Sequence, residues 1–118
     1  MKRRRSKPRL NKIGGVQFDH IGVPAPAKRE GMRFLESKRL WLTSPAEHPF
    51  RVEWLWYEDG SPEAELVRTL PHVAYRVESL EDAMEGHRIV AEPFDVFGEV
   101  RVSFIEVDGA PVEFVQPY

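Results

Sequence analysis

Cysteine is absent from the 118 residues. That excludes a disulfide framework and any metal site built on thiolates, and it is compatible with a reducing compartment. Long apolar runs are absent too. No stretch reaches the roughly 18 residues of a membrane span, and none follows the basic start as in a secretory signal. The expectation is a cytoplasmic protein with no membrane partner. Acidic residues are missing through position 12, where Lys2, Arg3, Arg4, Arg5, Lys7, Arg9 and Lys12 make a basic tail, expected to be flexible over 1–15. The remainder holds ten basic against 19 acidic residues, so the body stands at -9 although the whole chain stands at -2. A basic arm can hold nucleic acid. An acidic body repels the backbone so captured, however, and no nucleic-acid motif follows. The tail is expected to be solvated or to lie on its own acidic surface, with no nucleic-acid partner.

Hydrophobic residues make up 42% of the chain, including three tryptophans and seven phenylalanines. That is enough for a core, and the length suits one domain. A single domain is expected over 16–118.

Two pairs of strand-like segments organise it. Phe18-Asp19-His20-Ile21-Gly22-Val23 and Arg51-Val52-Glu53-Trp54-Leu55 form the first pair. Pro71-His72-Val73-Ala74-Tyr75-Arg76-Val77 and Ala110-Pro111-Val112-Glu113-Phe114-Val115 form the second. Each opens with a histidine beside branched apolar residues and closes with Val-Glu-aromatic-aliphatic, 33 residues apart in one case and 41 in the other. This is a weak internal duplication. Strand alternation puts His20 on a face with Phe18 and Gly22, Glu53 with Arg51 and Leu55, and His72 with Ala74 and Arg76. Glu113 lies opposite Val112 and Phe114. If those faces line one concave surface, His20, Glu53, His72 and Glu113 supply two imidazoles and two carboxylates. Such a set suits Zn, Ni, Co or Mn, with Fe as a further option.

The order of elements follows from turn and cap signals. A strand over about Val16–Val23 is stopped by Pro24 and Pro26, which launch a helix over about Ala27–Ser37. A short strand is expected at Arg39–Thr43, another at Phe50–Tyr57, and one or two helical turns at Glu63–Leu70 linking the halves over the opening of the site. The second half reads as a strand from His72, a short helix after an N-cap at Ser79, a strand His87–Ala91, a loop Glu92–Gly98, and a hairpin around Asp108-Gly109. The modules are thus about 16–62 and 71–118, the first short by one strand or carrying a very abbreviated one. The fold class is α+β: paired βαβββ modules forming a cupped mixed β-sheet.

A duplicated unit of this kind, with His near the start and Glu near the end of each half, resembles the vicinal oxygen chelate superfamily, which contains glyoxalase I, methylmalonyl-CoA epimerase, extradiol dioxygenases and bleomycin resistance proteins. Phe18–Val23 looks like the family's opening strand with its first metal ligand. Val52–Leu55, His72–Tyr75 and Val112–Val115 look like the other three ligand strands. The resemblance implies a divalent-metal-dependent lyase or isomerase of the glyoxalase I or epimerase type. Such an enzyme stabilises the enolate of a small vicinally oxygenated substrate, with Glu53 or Glu113 as the base. The apolar strand faces and the shortness of the chain make a homodimer the expectation. Arg76, on the face of His72, is a candidate for binding an anionic group of the substrate, with Arg101 and Ser103 as further candidates from the hairpin. The rivals are a non-catalytic small-molecule-binding protein and an Fe(II) extradiol dioxygenase. A second glutamate in the shell speaks against the dioxygenase.

Overall fold

A computed structural model describes residues 16–118, so the basic tail lies outside the described residues. The sheet has eight strands: β1 (Gln17–Pro24), β2 (Arg33–Leu35), β3 (Leu40–Leu42), β4 (Val52–Tyr57), β5 (His72–Arg76), β6 (Arg88–Val96), β7 (Val100–Val107) and β8 (Ala110–Pro117). Two short helices accompany them, α1 (Glu65–Thr69) and α2 (Leu80–Met84). The strand order is β2-β3-β4-β1-β5-β8-β7-β6. Exchanging each strand of one half for its counterpart in the other reverses that order and leaves it otherwise unchanged, so the duplication is architectural. The β1–β4 and β5–β8 pairs are parallel and the remaining pairs antiparallel. This is the mixed sheet expected. Its curl brings residues of the opposite edges together, as Leu35, Leu40 and Leu42 pack with Phe94, Val96 and Phe97.

The second half is βαβββ. Ser79 caps α2, its hydroxyl accepting from the Asp82 backbone N–H at 3.1 Å. The helix buries Leu80 and Ala83 on the convex side against Val77, Ile105 and Phe114. The hairpin turns at Asp108 and Gly109 with φ of 53° and 83°, the left-handed pair that favours an Asp-Gly turn.

Two expectations are corrected. No α-helix forms over Ala27–Ser37, where the helical part is a single 3-10 turn at Glu36–Lys38, so the first half lacks its α-helix and keeps four strands, β2 being only three residues long. Gly31 adopts φ 86°. Arg33-Phe34-Leu35 then pairs residue by residue with Leu42-Trp41-Leu40, and the Phe34 and Trp41 rings pack 4.8 Å apart. Strand pairing outweighs the weak helical stripe. In place of a helix, Lys28 lies over the ring of Trp41 at 4.2 Å and Arg29 over Trp54 at 3.8 Å, covering the outer face of β3 and β4 with cationic side chains. The second correction concerns Glu92–Gly98, expected as a loop. Through Val96 it is strand, because Phe94 and Val96 pair with Val102 and Val100. Pro93 is tolerated there because β6 is an edge strand and the register shifts between Ala91 and Phe94.

One contact sets the room inside the cup. Gly22 pairs with His72 across β1 and β5, and a Cβ built on Gly22 would lie 2.2 to 2.9 Å from the imidazole ring atoms. The missing side chain is therefore the space in which the His72 ring sits. Gly22→Ala is expected to displace that ring and lower the unfolding free energy by about 1–3 kcal/mol, read by urea denaturation.

Candidate metal centre

The two parallel strand pairs place four side chains at one point. Gly22 lies opposite Glu53 in the β1–β4 ladder, and Ala74 lies opposite Glu113 in the β5–β8 ladder. In each half the glutamate thus faces the residue two beyond the histidine, so the halves offer the same pair in the same register. His20, Glu53, His72 and Glu113 are all buried, and a ligand atom from each falls within 4.8 Å of every other. All four come from one chain, so a second copy is not needed to assemble the set.

The contacts are unequal. Glu113 Oε1 reaches both imidazoles, 3.1 Å from His20 Nε2 and 2.8 Å from His72 Nε2. Glu53 Oε1 lies 3.2 Å from His20 Nε2. Both nitrogens of His72 are buried without a hydrogen bond, since the nearby Glu113 oxygen lies outside hydrogen-bonding geometry. A buried orphan nitrogen facing two carboxylates is what a metal ligand looks like without its ion. Its other neighbour is the Phe104 ring, edge-on at 5.0 Å, which holds the imidazole without competing for it. The donor set of two imidazoles and two carboxylates fits a divalent ion such as Zn, Ni, Co, Mn or Fe.

Without an ion, protons balance the charge. Burial opposes a charge on His20, but Glu113, Asp19 and Glu53 outweigh it and push the imidazole up to about 12. Burial likewise opposes charge on Glu113, yet His20 and His72 hold it down to about 2. Burial raises Glu53 against the opposing pull of His20. A cation held by the cluster would displace the His20 proton, so loading would be favoured as pH rises.

Alternation along β1 is broken at Asp19. The pairing of β1 with β5 runs Phe18 with Tyr75 and then His20 with Ala74, leaving Asp19 as a bulge. Phe18 is therefore half-exposed and lies off the face of His20, which corrects the expected grouping, while Asp19 and His20 are both buried. Asp19 Oδ2 lies 2.7 Å from His20 Nδ1. This carboxylate fixes the ring so that Nε2 faces the cluster. The His20 hydrogen bond holds Asp19 below the ordinary carboxylate range despite its burial. Asp19 Oδ1 is shared by Arg76 at 3.2 Å and Arg51 at 3.5 Å, and the Arg51 Nε–H also donates to the Asp19 carbonyl. Strict period-two reading turns Asp19 away from His20 and conceals this role. The neighbouring Asp-His doublet was its one sequence signal.

The cluster opens on a cavity of about 240 Å³ whose walls include Leu42, Leu55, Phe94, Val102 and Phe104. Of the three residues expected to bind substrate, Arg76 lines it. Arg101 and Ser103 do not, which corrects their assignment. Phe104 faces the cup, so its neighbour Ser103 faces α2, opposite Phe114. Arg101, two residues earlier, reaches Glu81 on α2 at 3.0 Å. Tyr57 and Glu63 also line the cavity and went unassigned in the sequence. Glu63 is buried and lies 3.6 Å from Lys38. Burial, with Glu63 and the two cluster glutamates, raises the Tyr57 phenol well above its usual range. Val67 of α1, fully buried, packs on Ala91 and Phe104 within the cup.

No protein-family model and no curated protein matches the sequence. Solved structures do match the fold. The hypothetical protein BH1468 from Bacillus halodurans C-125 superposes with a TM-score of 0.66 at 19% identity, over 88% of this chain and 96% of that one. Methylmalonyl-CoA epimerase from Mycobacterium tuberculosis gives 0.59 at 19% identity, over 86% and 88%. The chain thus shares its fold with these two proteins, at a distance. Among the described residues no helix is long and apolar enough to cross a membrane.

Asp19→Asn retains size but removes the anion that orients His20. It is expected to weaken Zn or Co affinity about 10- to 100-fold in a competition titration with a chromophoric chelator.

Proposed function

We propose that the protein is a member of the vicinal oxygen chelate superfamily and a divalent-metal-dependent lyase or isomerase acting on a small substrate with neighbouring oxygens. The observation that carries this reading is the buried His20–Glu53–His72–Glu113 cluster at the wall of a cavity large enough for a small molecule. The fold likeness to an epimerase supports it as well. A divalent ion bound there supplies Lewis acidity, which makes a carbon beside a carbonyl more acidic and favours the enolate left behind.

The chain's own groups then divide the work. Glu113 touches both imidazoles and is the more firmly held carboxylate, while Glu53 touches His20 alone. Glu53 is accordingly the base that takes the proton from carbon and returns it, and Glu113 stays a ligand. His20 and His72 would hold the ion through their Nε2 atoms, the first ring fixed by Asp19 and the second seated between Gly22 and Phe104. The apolar walls exclude water from the reacting carbon and orient the rest of the substrate. The same walls favour a second reading, a protein that holds a metabolite in the cup without turning it over.

Proton transfer at carbon separates the two. In D₂O, protein loaded with Zn, Ni, Co or Mn is expected to exchange the carbon-bound proton beside the carbonyl of small 2-oxo or 2-hydroxy carbonyl compounds, followed by NMR. Glu53→Gln should lower that rate by about 10²- to 10⁴-fold. Tight binding by loaded protein with no exchange on any member of the panel favours the binding protein instead.

A further inference from the structure

The charges that line the cavity do not cancel evenly. Arg33 and Glu99 pair with each other across the rim, bidentately at 3.1 and 3.2 Å, and Glu63 is matched by Lys38. Asp19 is shared by two guanidiniums, Arg51 and Arg76, and also carries His20. With a divalent ion among Glu53 and Glu113, the three carboxylates and two arginines leave that end of the cavity with an excess of one positive charge. We infer that Arg51 and Arg76 form a carboxylate-binding subsite beside the metal cluster, which selects a monoanionic acid with a short apolar tail. This inference rests on the reading of the cluster as a metal site.

Geometry favours it in three ways. First, Asp19 is buried while the side chains of Arg51 and Arg76 are 38% and 51% exposed. A single carboxylate oxygen anchors both guanidiniums from beneath, and each has further N–H donors to offer outward. Second, both arginines line the cavity. Arg51 immediately precedes β4, and its guanidinium and that of Arg76 meet on Asp19, whose other oxygen lies 2.7 Å from Nδ1 of the cluster residue His20. A short acid held by the arginines therefore reaches the cluster with its neighbouring oxygen. Third, Arg51 has φ 58°, a conformation that a long side chain rarely adopts. It is held there by its N–H donating to the His48 carbonyl and its carbonyl accepting from Ile21 N–H, both at 3.0 Å. The left-handed turn sends the chain back toward β1, where the Arg51 guanidinium meets Asp19. Backbone strain that places a cationic side chain on a cavity wall is characteristic of a binding site. Leu40, Leu42, Leu55 and Phe94 in the same lining suit an apolar tail, and the Glu63 carboxylate near them is already matched by Lys38.

The test uses cobalt-loaded full-length protein and two probes that share a tail and neighbouring oxygens, 2-hydroxy-4-methylpentanoate and its primary amide. Binding is read by calorimetry, and cobalt content by its absorption spectrum. Wild type should bind the acid at least about tenfold more tightly than the amide. Arg76→Gln and Arg51→Gln should each retain the cobalt spectrum and lose most of that preference, with Arg76→Lys recovering part of it. Equal affinities in wild type, or a preference that survives undiminished in a fully loaded Arg76→Gln variant, would overturn the inference while leaving the metal site intact. Failure of wild type to develop a cobalt spectrum would overturn the metal reading and this inference together.

Discussion

Two carboxylates and two imidazoles converge in the wall of an apolar cup, and the rest of the structure serves that convergence. Burying such groups is costly unless each finds a partner. Part of the compensation is internal, through Glu113 to both histidines and Asp19 to His20. It is incomplete, because the nitrogens of His72 have no hydrogen bond. A cation completes the set, so metal binding and the local stability of the cup are expected to rise and fall together.

The means of convergence is register. Parallel pairing in each half sets the glutamate opposite the residue two beyond the histidine, and the antiparallel β1–β5 seam brings the halves together. Gly22 at that seam leaves room for one imidazole, and the bulge at Asp19 supplies the orienting carboxylate for the other. The halves are not equivalent beyond this. The second keeps its helix on the convex side. The first substitutes Lys28 and Arg29 laid on tryptophan rings, so the outer face of β3 and β4 is protected by cations instead of an apolar stripe.

The features legible in the sequence were those with local causes. The Asp108-Gly109 turn, the Ser79 cap and the paired His and Glu strands each depend on a few neighbouring residues, and the four cluster residues followed from their repetition. What was hidden depends on partners distant in the chain. Arg33-Phe34-Leu35 reads as part of a helix until Leu40-Trp41-Leu42 is beside it. Phe94 and Val96 read as part of a loop until Val102 and Val100 pair with them. Arg101 and Ser103 were assigned to the cup because the face of β7 cannot be known before its register against β8 is set. Asp19 was hidden by its bulge, a break in alternation that no period-two reading contains.

X-ray absorption at the metal edge of zinc- or cobalt-loaded protein, purified without a histidine tag, tests the central claim most directly. One ion per chain is predicted, in a shell of nitrogen and oxygen with the scattering of two imidazoles, falling to one in His20→Ala and in His72→Ala. A protein that takes up no ion, or a bound ion whose shell is unchanged in both variants, would contradict the account.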